Sequence, residues 1–168
     1  MSVADRSLLV LGWGNLSRGD DALGPLFVAG LRRHAQAATR PDVEFIEEYQ
    51  LQVEHVIDLA RRSRVLFVDA SCACKAPFEV SRPRPTRDAS FSSHAMSPAA
   101  LLHAYSDLYL EPPPPCTLLA IRGRQFELGA PPGRSALKHL EQALEWGRGW
   151  LATPDDDGDF NLRAFGHA

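Results

Sequence analysis

Apolar and polar positions along the chain switch between two periods, and the switching predicts an ordered series of strands and helices. Ser7–Leu11 is apolar at consecutive positions, the pattern of a strand covered on both faces in the middle of a parallel sheet. Leu23, Leu26, Phe27, Gly30 and Leu31 then recur every three to four residues and mark one helix face. Pro25 suits the first turn of that helix, where a missing N–H costs nothing. Val43–Tyr49 predicts a second strand. Val53, Val56, Ile57 and Ala60 predict a short second helix, with Arg61 and Arg62 near its end as the helix dipole favours. Val65–Val68 is another buried strand and delivers Asp69 to its carboxyl tip. Phe78–Ser81 predicts a short strand, followed by SRPRPTR, whose prolines demand an edge or a loop. Ser97-Pro98 is a cap followed by a first-turn proline, so a helix starts there with Leu101, Leu102 and Tyr105 facing inward. Cys116–Ile121 predicts a further strand. Ser135 can cap a last helix, on which Leu137, Leu140, Leu144 and Leu151 fall near one stripe.

Strands alternating with helices imply an α/β fold: one three-layer domain with a mostly parallel, twisted sheet and helices on both faces. The domain is expected over residues 1–152, with an acidic, flexible tail over 153–168 containing DDDGD. A chain of 168 residues is long enough for one real core. Its net charge of -3 gives no electrostatic case for nucleic acid or an anionic membrane surface. No apolar run approaches the roughly 20 residues of a membrane span. The stretch MSVADRS lacks the regions of a signal peptide, and three cysteines without a framework spacing favour reduced thiols, so a cytoplasmic location is expected. A monomer is the default expectation at this size.

In open α/β sheets, ligands gather at the carboxyl ends of the strands. Gly12–Asp21 and Asp69 both fall there, and His94 precedes a helix that can return it to the same edge. Asp21, Asp69 and His94 form an oxygen/nitrogen set suited to a borderline divalent ion such as nickel or zinc. Each has a plainer reading: Asp21 as an N-cap, Asp69 as the holder of a turn, His94 as an ordinary loop residue. Their convergence from three segments on one sheet edge favours the site. Asp20 reads as a cap or a supporting partner. Trp13 divides evenly between a contact for another protein and packing onto the first helix. Cys72 and Cys74 could be soft ligands, but C-x-C more often marks buried small residues. Ser71 with Asp69 and His94 suggests a serine triad, yet the G-x-S-x-G elbow is absent. Gly12 and Gly14 resemble a dinucleotide fingerprint that lacks its third glycine. Glu54 and Asp58 share a solvated helix face. Arg82–Arg87 reads as a solvated loop, with contact to an acidic partner surface as the alternative.

GWGNLSRGDDALGP resembles the opening motif of the hydrogenase maturation proteases: a strand, G-x-G-N, a short loop, then D-D or D-E with a small residue and glycine. Here these are Gly12, Gly14, Asn15, Asp20, Asp21 and Gly24. VLFVDAS, ending near Asp69, and SSHAMSPAALL, carrying His94, agree in order. EYQLQVEHVIDLA is similar to the branch serving soluble, NAD-linked hydrogenases. The likeness runs from about Leu8 to Leu102. It implies an endopeptidase that trims the C-terminal extension of a nickel-loaded hydrogenase large-subunit precursor. It further implies that Asp21, Asp69 and His94 are the metal-binding and catalytic set, recognising nickel carried by the substrate protein. Gly14, Asn15, Asp20 and Gln50 would support that set or line the substrate cleft. A non-catalytic, metal-sensing chaperone of the same large subunit is the alternative.

Overall fold

The computed structural model describes residues 7–87 and 96–154. Along them run β1 (Leu8–Trp13), α1 (Leu23–Ala37), β2 (Val43–Glu48), α2 (Val56–Leu59), β3 (Arg64–Ser71), β4 (Phe78–Ser81), α3 (Pro98–Tyr109), β5 (Cys116–Arg122) and α4 (Arg134–Ala152). Short 3-10 turns, Gly19–Ala22 and Val53–His55, lead into α1 and α2. His94 and the chain from Asp155 onward lie outside the described residues.

The strands form one sheet in the order β2-β1-β3-β5-β4, parallel except for the β4–β5 pair. Alternation along β1 and β3 sends Leu8, Val10, Leu66 and Val68 to the face covered by α1 and α4. Leu9, Leu11, Val65 and Phe67 go to the face covered by α2 and α3. The result is the expected three-layer α/β domain. Both faces of β1 are buried, which is why its sequence shows no polar alternation. β4 is an edge strand, and the proline-bearing stretch after it, 82–87, is a loop.

The connection through α1 carries the chain from β1 outward to β2, and the next one returns it to β3 on the other side of β1. Strand order therefore reverses between β1 and β3. Such sheets hold their ligands in the crevice beyond the carboxyl ends at this point of reversal. α1 lies very close to β1 beside this crevice. A Cβ added to Gly24 would stand 2.3 Å from the Trp13 carbonyl oxygen. One added to Gly12 would meet the Gly24 oxygen at 2.7 Å and the Val28 side chain at 2.6 Å.

Two helix faces differ from the pattern in the sequence. α4 is capped at Gly133 instead of Ser135, and it buries Ala136, Leu140, Ala143, Trp146, Gly147 and Trp150 while Leu137 is exposed. Close packing on α1 selects the small residues, since a Cβ on Gly147 would meet the Phe27 ring at 2.7 Å. On α2, Val56, Leu59 and the preceding His55 are buried, whereas Val53 and Ile57 face solvent. Entry through a 3-10 turn, with three residues per turn, shifts the phase of that face. Among the described residues, no helix is long and apolar enough to cross a membrane.

Because the Gly24 contact is with backbone, which cannot swing aside, Gly24→Ala is expected to cost about 3 kcal/mol of stability. Urea unfolding of the variant against the parent measures it.

Candidate active site

The β1–α1 turn is folded so tightly that it presents its acids in a fixed order. Gly14 has φ of 149°, and a Cβ there would sit 1.9 Å from the Asp21 carbonyl oxygen. Only glycine closes this turn. The closure brings the Asn15 backbone N–H to donate to Asp21 Oδ2 at 2.7 Å. Asp21 is thus engaged across the turn, and the N-cap position of α1 belongs to Ala22, without a side-chain cap bond. Among the described residues, Oδ1 of Asp21 accepts no hydrogen bond. The Asn15 side chain holds the turn from outside, accepting from Ser17 N–H at 2.8 Å and donating to the Tyr49 hydroxyl at 3.3 Å.

Asp69 lies two residues before the end of β3, in register with Ala120 of β5 and just past the last β1–β3 pair, Gly12–Val68. Alternation places it on the same sheet face as Trp13. The Trp13 side chain lies close enough to its carboxylate to favour the charged form. The indole ring itself is buried, edge-on to Phe67 with centroids 6.1 Å apart and planes at 72°. Trp13 is therefore neither a surface contact nor a partner of the first helix; it packs in the α2/α3 layer.

Burial raises the pKa of Asp69, and the charge of Asp21 raises it further. The Ala70 N–H and the Trp13 indole pull the other way, leaving it at about 7. The two acids marked in the sequence are thus brought into one another's field in the crevice. One positive charge there relieves both burial and repulsion: a proton below about pH 7, a cation above it.

Asp20, adjacent to Asp21, points into the protein and is 2% exposed. Its Oδ2 accepts from the backbone N–H groups of Arg124 at 2.7 Å and Gln125 at 3.0 Å, and its Oδ1 from Gly133 at 2.7 Å. Burial works to raise its pKa, but these three bonds and the charge of His139 outweigh it, and the net shift is downward. Asp20 thereby ties the β1–α1 turn to the loop 123–133. Three backbone bonds, Gly19 N–H to Ala130, Asp20 N–H to Gln125 and Gly129 N–H to Ser17, complete the join. This role was not visible in the sequence beyond a cap or a supporting partner; the signal was the recurrence of glycine at 123, 129 and 133.

The remaining candidates separate clearly. His94 lies outside the described residues, but the helix that follows it is capped by Ser97, whose Oγ accepts from Ala100 N–H at 3.1 Å. That helix packs on the sheet face of Asp69 through Leu101, Leu102 and Tyr105. Gln50 is half-buried just past β2, at the same sheet edge. Ser71 spends its hydroxyl accepting from Ala73 and Cys74 N–H at 3.1 Å each, closing a turn. Cys74 is buried, its thiol pushed up by burial, whereas Cys72 is exposed. Among the described residues, no three His, Cys, Asp or Glu side chains are arranged to hold a metal ion. Asp21 and Asp69 offer two oxygens of the donor set.

No family model matches the chain, and no curated protein sequence matches it either. Solved structures do. The hydrogenase maturating endopeptidase HybD from E. coli is 24% identical, with a TM-score of 0.67 over 87% of this chain and 92% of that one. The nickel–iron hydrogenase maturation protease HycI from Thermococcus kodakarensis KOD1 is 19% identical, with a TM-score of 0.66 over 90% of this chain and 100% of that one. An endopeptidase from Escherichia coli is 23% identical, with a TM-score of 0.66 over 86% of this chain and 91% of that one. The chain has the fold of the hydrogenase maturation proteases over nearly its whole length.

A carboxyl raised from 3.8 to about 7 on folding binds its proton more tightly in the folded state, so it removes stability as pH rises from about 4 to about 7. In metal-free protein, Asp69→Asn is expected to raise Tm relative to the parent, with a gap that widens from pH 5 to pH 8 in a thermal unfolding series. Asp20→Ala, which strands three backbone N–H groups, is expected to cost roughly 3 kcal/mol in urea unfolding, against about 1 kcal/mol for Asp21→Ala.

Proposed function

We propose that this protein is a hydrogenase maturation endopeptidase. It removes the C-terminal extension of a nickel-loaded, nickel–iron hydrogenase large-subunit precursor, acting as a cytoplasmic monomer. The observation that carries the reading is the pair of motif acids, Asp21 and Asp69, meeting at the switch-point crevice of a fold shared with named maturation proteases. The resemblance of EYQLQVEHVIDLA supports the branch serving soluble, NAD-linked hydrogenases.

In this reading the metal arrives as cargo of the substrate. Asp21 meets it with Oδ1, because Oδ2 is held by the Asn15 amide. Asp69 meets it with the carboxylate that lies beside the Trp13 side chain. His94 supplies the nitrogen of the set. Two carboxylates and an imidazole suit nickel, a borderline ion. The crevice is electrostatically unsatisfied until a cation enters, so a precursor without metal lacks the charge that docks it. Metal loading thereby becomes the checkpoint for cleavage. Gly14 and Asn15 shape the turn, Asp20 anchors it, and Gln50 lines the adjoining cleft.

The test is intact mass spectrometry of nickel-loaded and nickel-free large-subunit precursors incubated with the protein. Loss of a C-terminal peptide from the loaded form alone is the expected result. Asp21→Ala, Asp69→Ala and His94→Ala are each expected to abolish that loss. Stable binding of the loaded precursor with no change in its mass would instead assign the non-catalytic, metal-sensing chaperone.

A further inference from the structure

The stretch that follows β4 carries three arginines, Arg82, Arg84 and Arg87, within six residues. All three are exposed, and none of their guanidinium groups makes a hydrogen bond or ion pair with a described residue. The acid nearest in sequence among the described residues, Glu79 of β4, is turned to the Lys75 backbone N–H at 3.1 Å. Elsewhere the chain does pair its arginines: Arg32 with Glu47, Arg40 with Asp42 and Arg62 with Glu44. Among the described residues, these three guanidinium groups without a partner are thus a local excess of positive charge on a protein of net charge -3.

The stretch is also stiff and anchored. Pro83 and Pro85 fix their own φ angles, and they restrict Arg82 and Arg84 to extended backbone. The alternation holds the arginines apart with little conformational freedom left to lose on binding. Thr86 N–H donates to the Ala99 carbonyl at 3.1 Å, pinning the stretch to the first turn of α3. That turn follows directly on the segment carrying His94, and the positive end of the helix dipole adds to the field.

We propose that Arg82, Arg84 and Arg87 form a docking arm for an acidic segment of the partner protein whose processed end enters the crevice. The partner's identity rests on the proposed function; the affinity for an acidic peptide does not. Charge complementarity commits the arm to carboxylates, since guanidinium groups pair with them in fork geometry.

The test is fluorescence anisotropy of the full chain with a labelled hexaglutamate peptide, with hexaglutamine and a single-stranded RNA hexamer as comparison probes. Hexaglutamate is expected to bind and hexaglutamine not. Binding is expected to weaken at least tenfold between low and high salt, and about tenfold in Arg82→Gln/Arg84→Gln/Arg87→Gln. Arg134→Gln/Lys138→Gln/Arg148→Gln removes the same charge from the exposed side of α4 and is expected to change affinity less than twofold. Equal loss in both triple variants, or in neither, would overturn the arm. RNA binding tenfold tighter than hexaglutamate would also overturn it, reassigning the arm to nucleic acid. The readout involves no cleavage, so a failed processing assay beside intact arm-dependent binding would sink the protease reading and leave the arm standing.

Discussion

The close seating of α1 on the end of β1 is the constraint on which the rest of this structure depends. At Gly12, Gly14 and Gly24 there is no room for a single extra carbon, and the atoms in the way are mainly backbone. A side chain at any of the three would push the helix off the strand. With the helix seated, the six residues from Asn15 to Asp20 must turn within a fixed gap. The directions of the two acids that end the turn are then no longer free.

Those acids, Asp20 and Asp21, are neighbours in sequence and opposites in environment. Asp20 is buried and saturated by three backbone N–H groups, so its charge is cheap to keep and its work is to join two loops. Asp21 has one oxygen held by Asn15 and one left over, and it faces a second carboxylate across the crevice. A protein gains nothing in stability from that second arrangement. The raised pKa of Asp69 records a cost carried by the fold, of the kind expected where a site is built to receive charge from outside. Trp13 moderates the cost by favouring the charged carboxylate.

Topology supplies the remaining element. Strand order reverses between β1 and β3, so no strand covers the space beyond their carboxyl ends. Asp21 of the first turn and Asp69 of the third strand come into one another's field at that end of the sheet. The solved proteases with which the chain shares its fold carry the same architecture at 19 to 24% identity.

Much of this was legible in the sequence for a simple reason. Strand and helix patterns are local, and the consecutive apolar residues of β1 and β3 or the three-to-four spacing of α1 report burial directly. The positions of Asp21 and Asp69 at strand ends followed from those patterns, and the glycine-rich turn marked where the chemistry sits. What needed tertiary structure were contacts between segments far apart in the chain. The loop 123–133 wraps Asp20 from more than a hundred residues away, and nothing local in GDDA distinguishes the anchoring acid from the half-buried one beside it. Trp13 reaches Asp69 only because β1 and β3 lie side by side in register. The faces of α2 and α4 were set by a 3-10 entry and by the size of the gap to α1. Sequence pattern determined which residues stand at the sheet's carboxyl edge; packing between distant segments decided which of them are spent on the fold and which are left with a free oxygen.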